Sequence, residues 1–87
     1  MAVYGGDLAQ LDDLAMRFRQ EGAEIEALES RIGASLQSTA WTGPAADRFR
    51  QAWSGDFVPA LHRLREAMAE NATAVTRRRQ AIESATS

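Results

Sequence analysis

Apolar residues recur along this chain with the period of an α-helix in two long stretches, separated by one short interruption. In the first stretch Leu8, Leu11, Leu14, Phe18, Ile25, Leu28, Ile32 and Leu36 fall three, four or seven apart, the spacing that gathers side chains on one side of a helix. Within that set Leu11, Phe18, Ile25 and Ile32 repeat every seven residues, like the seam of a coiled coil. Gly5-Gly6 breaks structure ahead of Asp7, a good N-cap, and Gln10 stands where the reciprocal residue of a capping box belongs. The pattern predicts a first helix over residues 7–37. Gly22 lies on its apolar side. It costs about 1 kcal/mol of helix propensity, and the expectation is that it lets a facing helix approach closely.

The second stretch carries Phe49, Trp53, Phe57, Leu61, Leu64, Met68, Val75 and Ile82, with Leu61, Met68, Val75 and Ile82 again seven apart. It predicts a second helix over residues 44–84. Asn71 falls beside this stripe, either as a polar residue that sets register or as an edge residue facing water. Ser54-Gly55-Asp56 and Pro59 disturb the pattern, because a helical Pro clashes with the carbonyl four residues back, here Gly55. The apolar stripe continues across the site, which favours one bent helix. The alternative is a break in which Gly55 ends one helix and Asp56 caps the next.

Between the stretches, over residues 38–43, Ser38-Thr39-Ala40 leads into Trp41-Thr42-Gly43 and then Pro44. Gly permits backbone angles other residues avoid, and Pro suits the first position of a helix. A Trp in such a turn needs a surface to cover. That surface is either the hairpin itself or a second protein. The expected fold is all-α: an antiparallel two-helix hairpin forming a single domain over residues 1–87. One facing helix cannot cover both apolar stripes, and burying one large side chain is worth roughly 1.5–3 kcal/mol. Dimerisation into a four-helix bundle is the expected solution. Leu11, Phe18, Ile25, Leu28, Ile32, Phe49, Trp53, Phe57, Leu61, Leu64, Met68 and Val75 are the candidate hairpin or dimer core.

Composition narrows the function. In 87 residues, 45% are hydrophobic and 25% charged, which is unlike a disordered chain. A net charge of −2 argues against nucleic acid as a partner. Cysteine is absent, which removes disulfides, thiol nucleophiles and thiolate metal sites. No apolar run reaches the roughly 20 residues that span a bilayer, and the first residues do not have the layout of a secretory signal peptide. Stable membrane insertion is not expected.

The chain resembles the WXG family of type VII secretion substrates, the early secreted antigen-like helical hairpins. The resemblance rests on a Trp-x-Gly turn between two amphipathic helices and on the run Trp41-Thr42-Gly43-Pro44-Ala45-Ala46-Asp47-Arg48-Phe49, followed by Trp53. It covers nearly the whole chain. It implies a non-enzymatic protein that forms a homodimer, or a heterodimer with another such hairpin or a larger secreted protein. It also implies export without a signal peptide, from the cytoplasm, by the membrane ATPase of the type VII system. Trp41 and Gly43 would then be the turn motif that export recognises. In the family this turn lies beside a C-terminal Tyr-x-x-x-Asp or Tyr-x-x-x-Glu element of the partner. Here the only tyrosine is Tyr4, and residues 76–87 contain none, so the expectation is that a partner supplies that element. A cytosolic adaptor or chaperone that covers the N-terminal helices of a larger toxin is the alternative.

Other polar constellations point to ordinary surface roles. His62 and Glu66 are one helical turn apart, but zinc needs three or four ligands and no second His is present. Arg77-Arg78-Arg79 suits a helix C-terminus through the dipole, with anionic lipid or DNA as the rival partner. Asn71-Ala72-Thr73 matches a glycosylation acceptor but falls mid-helix. Asp12, Asp13, Glu21, Glu24, Glu26 and Glu29 form a solvated acidic face with Arg17 and Arg31 nearby. No Ser/His/Asp set, phosphate-binding glycine loop or paired carboxylate suggests catalysis, and no cofactor is expected.

Overall fold

The computed structural model describes residues 7–86. Gly5-Gly6, Tyr4 and the first residues considered for a signal peptide lie outside that range. The protein is an all-α antiparallel hairpin. Helix α1 (Leu8–Ser38) forms the first arm. The second arm runs through α2 (Pro44–Ala52), a π-helical turn (Trp53–Phe57) and α3 (Val58–Thr86) without a break. The arms make a rod of 63 × 18 × 14 Å.

The start of α1 follows from its cap. Asp7 Oδ1 accepts a hydrogen bond from the Gln10 backbone N–H at 3.1 Å, satisfying one of the helix's free donors. Antiparallel register shows in the cross-arm contacts, where numbers rise on one arm as they fall on the other. Arg79 Nε lies 3.0 Å from Asp12, Arg19 Nη2 donates to Thr76 Oγ1 at 3.4 Å, and Glu29 faces both His62 and Arg65.

The inner face of α1 is formed by half-buried Leu8, Leu11, Phe18, Gly22, Ile25, Glu29, Gly33 and Leu36 around buried Ala15. Leu8, Ala15, Gly22, Glu29 and Leu36 keep one seven-residue series throughout, whereas the series Leu11, Phe18, Ile25 slips by one residue at its next step. Ile32, expected in the same seam as Leu11, Phe18 and Ile25, is therefore exposed at 38%, and Gly33 takes the inner position. A straight α-helix drifts against a seven-residue repeat, and the slip is where that drift shows. On α3 the inner face is Leu61, Arg65, Met68, Ala72, Val75, Arg79 and Ile82, so the seven-residue series lies inward, with two Arg interleaved.

Among the described residues only Ala15, Ala46, Ala72 and Ile82 are buried. Two rods in contact have no closed interior, and small groups at the line of contact are the easiest to remove from water. Asn71 is exposed, and its side-chain amide donates to the Ala67 carbonyl at 2.7 Å, so it sits at the edge and does not set register. No helix among the described residues is long and apolar enough to cross a membrane.

From Gly55 to Pro59 the arm continues without a break. The Val58 N–H bonds to the Trp53 carbonyl, five residues back, which widens the turn just before Pro59. Pro59 has no N–H to give to Gly55, and the extra residue relieves the clash of its ring with that carbonyl. Asp56, the alternative cap, lies inside the π turn.

Gly22 behaves differently from the expectation of close approach. A Cβ built there meets nothing within 4 Å, so no neighbouring atom requires the glycine. Gly22→Ala is therefore expected to stabilise the hairpin by about 1 kcal/mol, raising the thermal midpoint by roughly 4–8 °C for a domain of this size. Thermal unfolding followed by circular dichroism checks this, and a lower midpoint would show that the position needs its open space.

Candidate interaction site

Two surfaces concentrate the residues singled out by sequence: the tip of the hairpin and one long side of it. At the tip, α1 ends at Ser38 with Thr39 extended, and the chain reverses over residues 39–43. Gly43 has φ 111° and ψ 175°, an orientation open to glycine and strained for other residues. Its carbonyl accepts the Asp47 N–H at 3.0 Å, which starts α2, and Pro44 fills the first helical position. The Trp41 N–H returns to the Thr39 carbonyl at 2.9 Å.

Trp41 is 41% exposed and opens a chain of rings. Its indole lies 6.1 Å from Phe49, and Phe49 lies 6.3 Å from Trp53 and 6.2 Å from Phe57. Phe49 and Phe57 are exposed, whereas Trp53 is half-buried. Such tilted and offset pairs add about 0.5–1.5 kcal/mol each beyond area burial. The cluster thus holds itself together while leaving much ring surface in water. Beside it is an open hollow of about 540 Å³ between Gly33, Leu36, Trp41, Arg50 and Trp53.

Arg50 was not singled out by sequence, and it is central here. From α2 it reaches back across the turn. Nη1 donates to the Trp41 carbonyl at 2.6 Å, and Nη2 donates to the carbonyls of Leu36 at 3.0 Å and Thr39 at 3.3 Å. Its guanidinium also lies 5.7 Å from the centre of the Trp41 ring, within cation–π range. The end of α1 explains the need. Its last turn has no basic residue and no glycine follows it, so donors for its free carbonyls must come from elsewhere. That deficit around Ser38-Thr39-Ala40 was the signal available in the sequence.

Along the rod, chemistry divides by side. A helix turns about 100° per residue, so Asp12, Arg19 and Glu26 lie on one flank of α1 and Leu14, Leu28 and Ile32 on the opposite one. His62 and Leu64 are likewise on opposite flanks of α3. Arg19, Glu26, Arg65 and Ala69 share one hollow of about 230 Å³, which places the charged flanks of both arms together. Ion pairs stitch that side: His62 Nε2 to Glu29 Oε1 at 2.9 Å, Arg65 to Glu29 at 3.9 Å, and Arg79 to Asp12 and Glu83. Glu29 Oε1 is buried, and neither His62 nor Arg65 meets it in hydrogen-bond geometry. The other side exposes Leu14, Leu28, Ile32 and Leu64 around the Arg17–Glu21 pair, while Phe57 is exposed at the tip and Met16 toward the charged side.

Thus Leu11, Phe18, Ile25, Leu61, Met68 and Val75 are brought together between the arms, Trp53 is half-covered at the tip, and Leu28, Ile32, Phe49, Phe57 and Leu64 face outward. His62 turns to Glu29 on the other arm. Arg77 and Arg78 are exposed while Arg79 is half-buried in its ion pairs, so the triplet does not act as one patch. Among the described residues no three His, Cys, Asp or Glu side chains group as metal ligands. No family model, curated protein or solved structure matches this chain.

Gly43→Ala is expected to cost on the order of 1–3 kcal/mol, since the side chain has room but the backbone angle does not suit it. Urea unfolding monitored by tryptophan emission measures it, and an unchanged midpoint would mean that the turn can adopt another conformation freely.

Proposed function

We propose that this protein is a small non-enzymatic type VII secretion substrate, or the partner of one, of the WXG kind. It acts by helix-bundle association through its apolar side and by presenting Trp41 at its tip. The partner is a second copy, another hairpin of this kind or the N-terminal helices of a larger secreted protein. The pair leaves the cytoplasm through the system's membrane ATPase without a signal peptide. The observation that carries the reading is the exposure of Leu14, Leu28, Ile32, Phe57 and Leu64 on a hairpin in which no large side chain among the described residues is fully buried.

Surface area supports it. The accessible surface is 6355 Å², against about 5,000 Å² for a compact monomer of this mass. The excess reflects the elongated 63 × 18 × 14 Å shape, whose long side has room for the roughly 800 Å² that each partner contributes to an ordinary stable interface. Leu28 and Leu64 lie within this side. Leu28→Asp or Leu64→Asp should weaken association at least about tenfold, because a carboxylate would have to be desolvated in the interface. Light scattering and analytical ultracentrifugation across micromolar concentrations measure this. A monodisperse monomer that unfolds cooperatively would refute the assembly.

Export depends in this reading on Trp41 beside a Tyr-x-x-x-Asp or Tyr-x-x-x-Glu element supplied by the partner. Residues 76–87 contain no tyrosine of their own. Trp41→Ala should leave the complex assembled and block export of both subunits. A secretion assay on strains with and without the neighbouring gene products tests this. Full export of this chain with its partner deleted would remove the requirement for an element in trans.

A further inference from the structure

We propose that Arg50 is a latch that fixes the presentation of Trp41, a positioning residue held in reserve behind the exposed indole. Among the described residues, every hydrogen bond tying residues 36–41 to the second arm comes from this one guanidinium. Three carbonyls converge on it from two different structures: Leu36 from the last turn of α1, and Thr39 and Trp41 from the reversal itself. The same group lies near the Trp41 ring, so it constrains both the backbone and the side chain of that residue.

Nothing else clamps the tip equally well. Residues 39–45 are all exposed, and the hollow beside Trp41 and Trp53 is open, so below the loop only the small side chain of Ala46 is fully packed. The remaining tie is the ring contact between Trp41 and Phe49. Arg50 itself is half-buried, and its bonded acceptors are neutral carbonyls, so no carboxylate competes for it in these contacts. Hydrogen bonds from a charged donor are the stronger kind. A planar guanidinium can reach three acceptors at once, which an ammonium on a flexible stem cannot do in the same geometry. The latch therefore predicts that losing Arg50 frees the tip while leaving the arms zipped.

The test uses the full chain with Trp53→Phe, so that Trp41 is the sole tryptophan and an aromatic ring remains against Phe49. Arg50→Met in that background should raise acrylamide quenching of Trp41 about twofold and lower its emission anisotropy, with helicity by circular dichroism nearly unchanged. Arg50→Lys keeps the charge but not the fork, and should restore only part of the effect. Should Arg50→Met unfold the chain, Arg50→Lys decides the matter alone, because partial release of Trp41 in a folded hairpin is still required. Quenching and anisotropy equal to those of the parent in a folded variant overturn the latch. The export consequence rests on the reading above: Arg50→Met should impair secretion although Trp41 is intact. Release of Trp41 with normal secretion leaves the latch standing and overturns the export role of the turn instead.

Discussion

Two helices laid side by side cannot enclose anything, and the rest of this protein follows from that constraint. The line of contact hides Ala15, Ala72 and Ile82 but only half-covers Leu11, Phe18, Ile25, Leu61, Met68 and Val75. Hydrophobic burial therefore stops short of what a closed core would supply. Whatever else holds the hairpin must act along its edges or at its end. The ion pairs of Asp12, Glu29, His62, Arg65 and Arg79 do the first, and Arg50 with the aromatic cluster does the second.

Charge is distributed to assist that closure. Residues 7–38 carry seven acidic and three basic side chains, whereas residues 44–86 carry five acidic and seven basic ones. The arms attract one another lengthwise, and pairing α1 with α3 puts unlike charges opposite. Each exposed pair adds little, and salt screens it. Interleaving Arg65 and Arg79 among the apolar positions of α3 places the long stems of these residues over the seam while their heads reach the acidic flank of α1. Among the described residues the opposite flank carries no such pair between the arms, only the Arg17–Glu21 pair within α1, beside Leu14 and Leu28.

The helices and the turn were legible because their signals are local. Asp7 caps through its own side chain, Gly43 and Pro44 act on their own backbone, and the stripes at Leu11 to Ile25 and Leu61 to Ile82 are periodic. What was not legible depends on accumulated phase or on distant partners. Ile32 turns outward because a seven-residue count drifts against the true helical pitch. The exact side on which Leu14, Leu28 and Leu64 emerge depends on how the arms are rotated against each other. Arg50 could be found only by asking where the carbonyls of Leu36, Thr39 and Trp41 go, a question about three residues up to fourteen positions away. Gly22 suggested a close helix contact, but the space beside it is empty.

The π turn at Trp53–Phe57 keeps the two ends of the second arm in phase. Such a turn is an α-helix that has absorbed one surplus residue in place, without passing the offset into a loop. Removing one residue there would restore regular winding and leave the tip, with its ring cluster, on the same side, whereas removing one from a regular stretch of α3 would rotate the tip by about 100°. The turn thus uncouples the number of residues in the second arm from the direction its faces take. A chain of this type can gain or lose a residue at that point without re-aiming its tip.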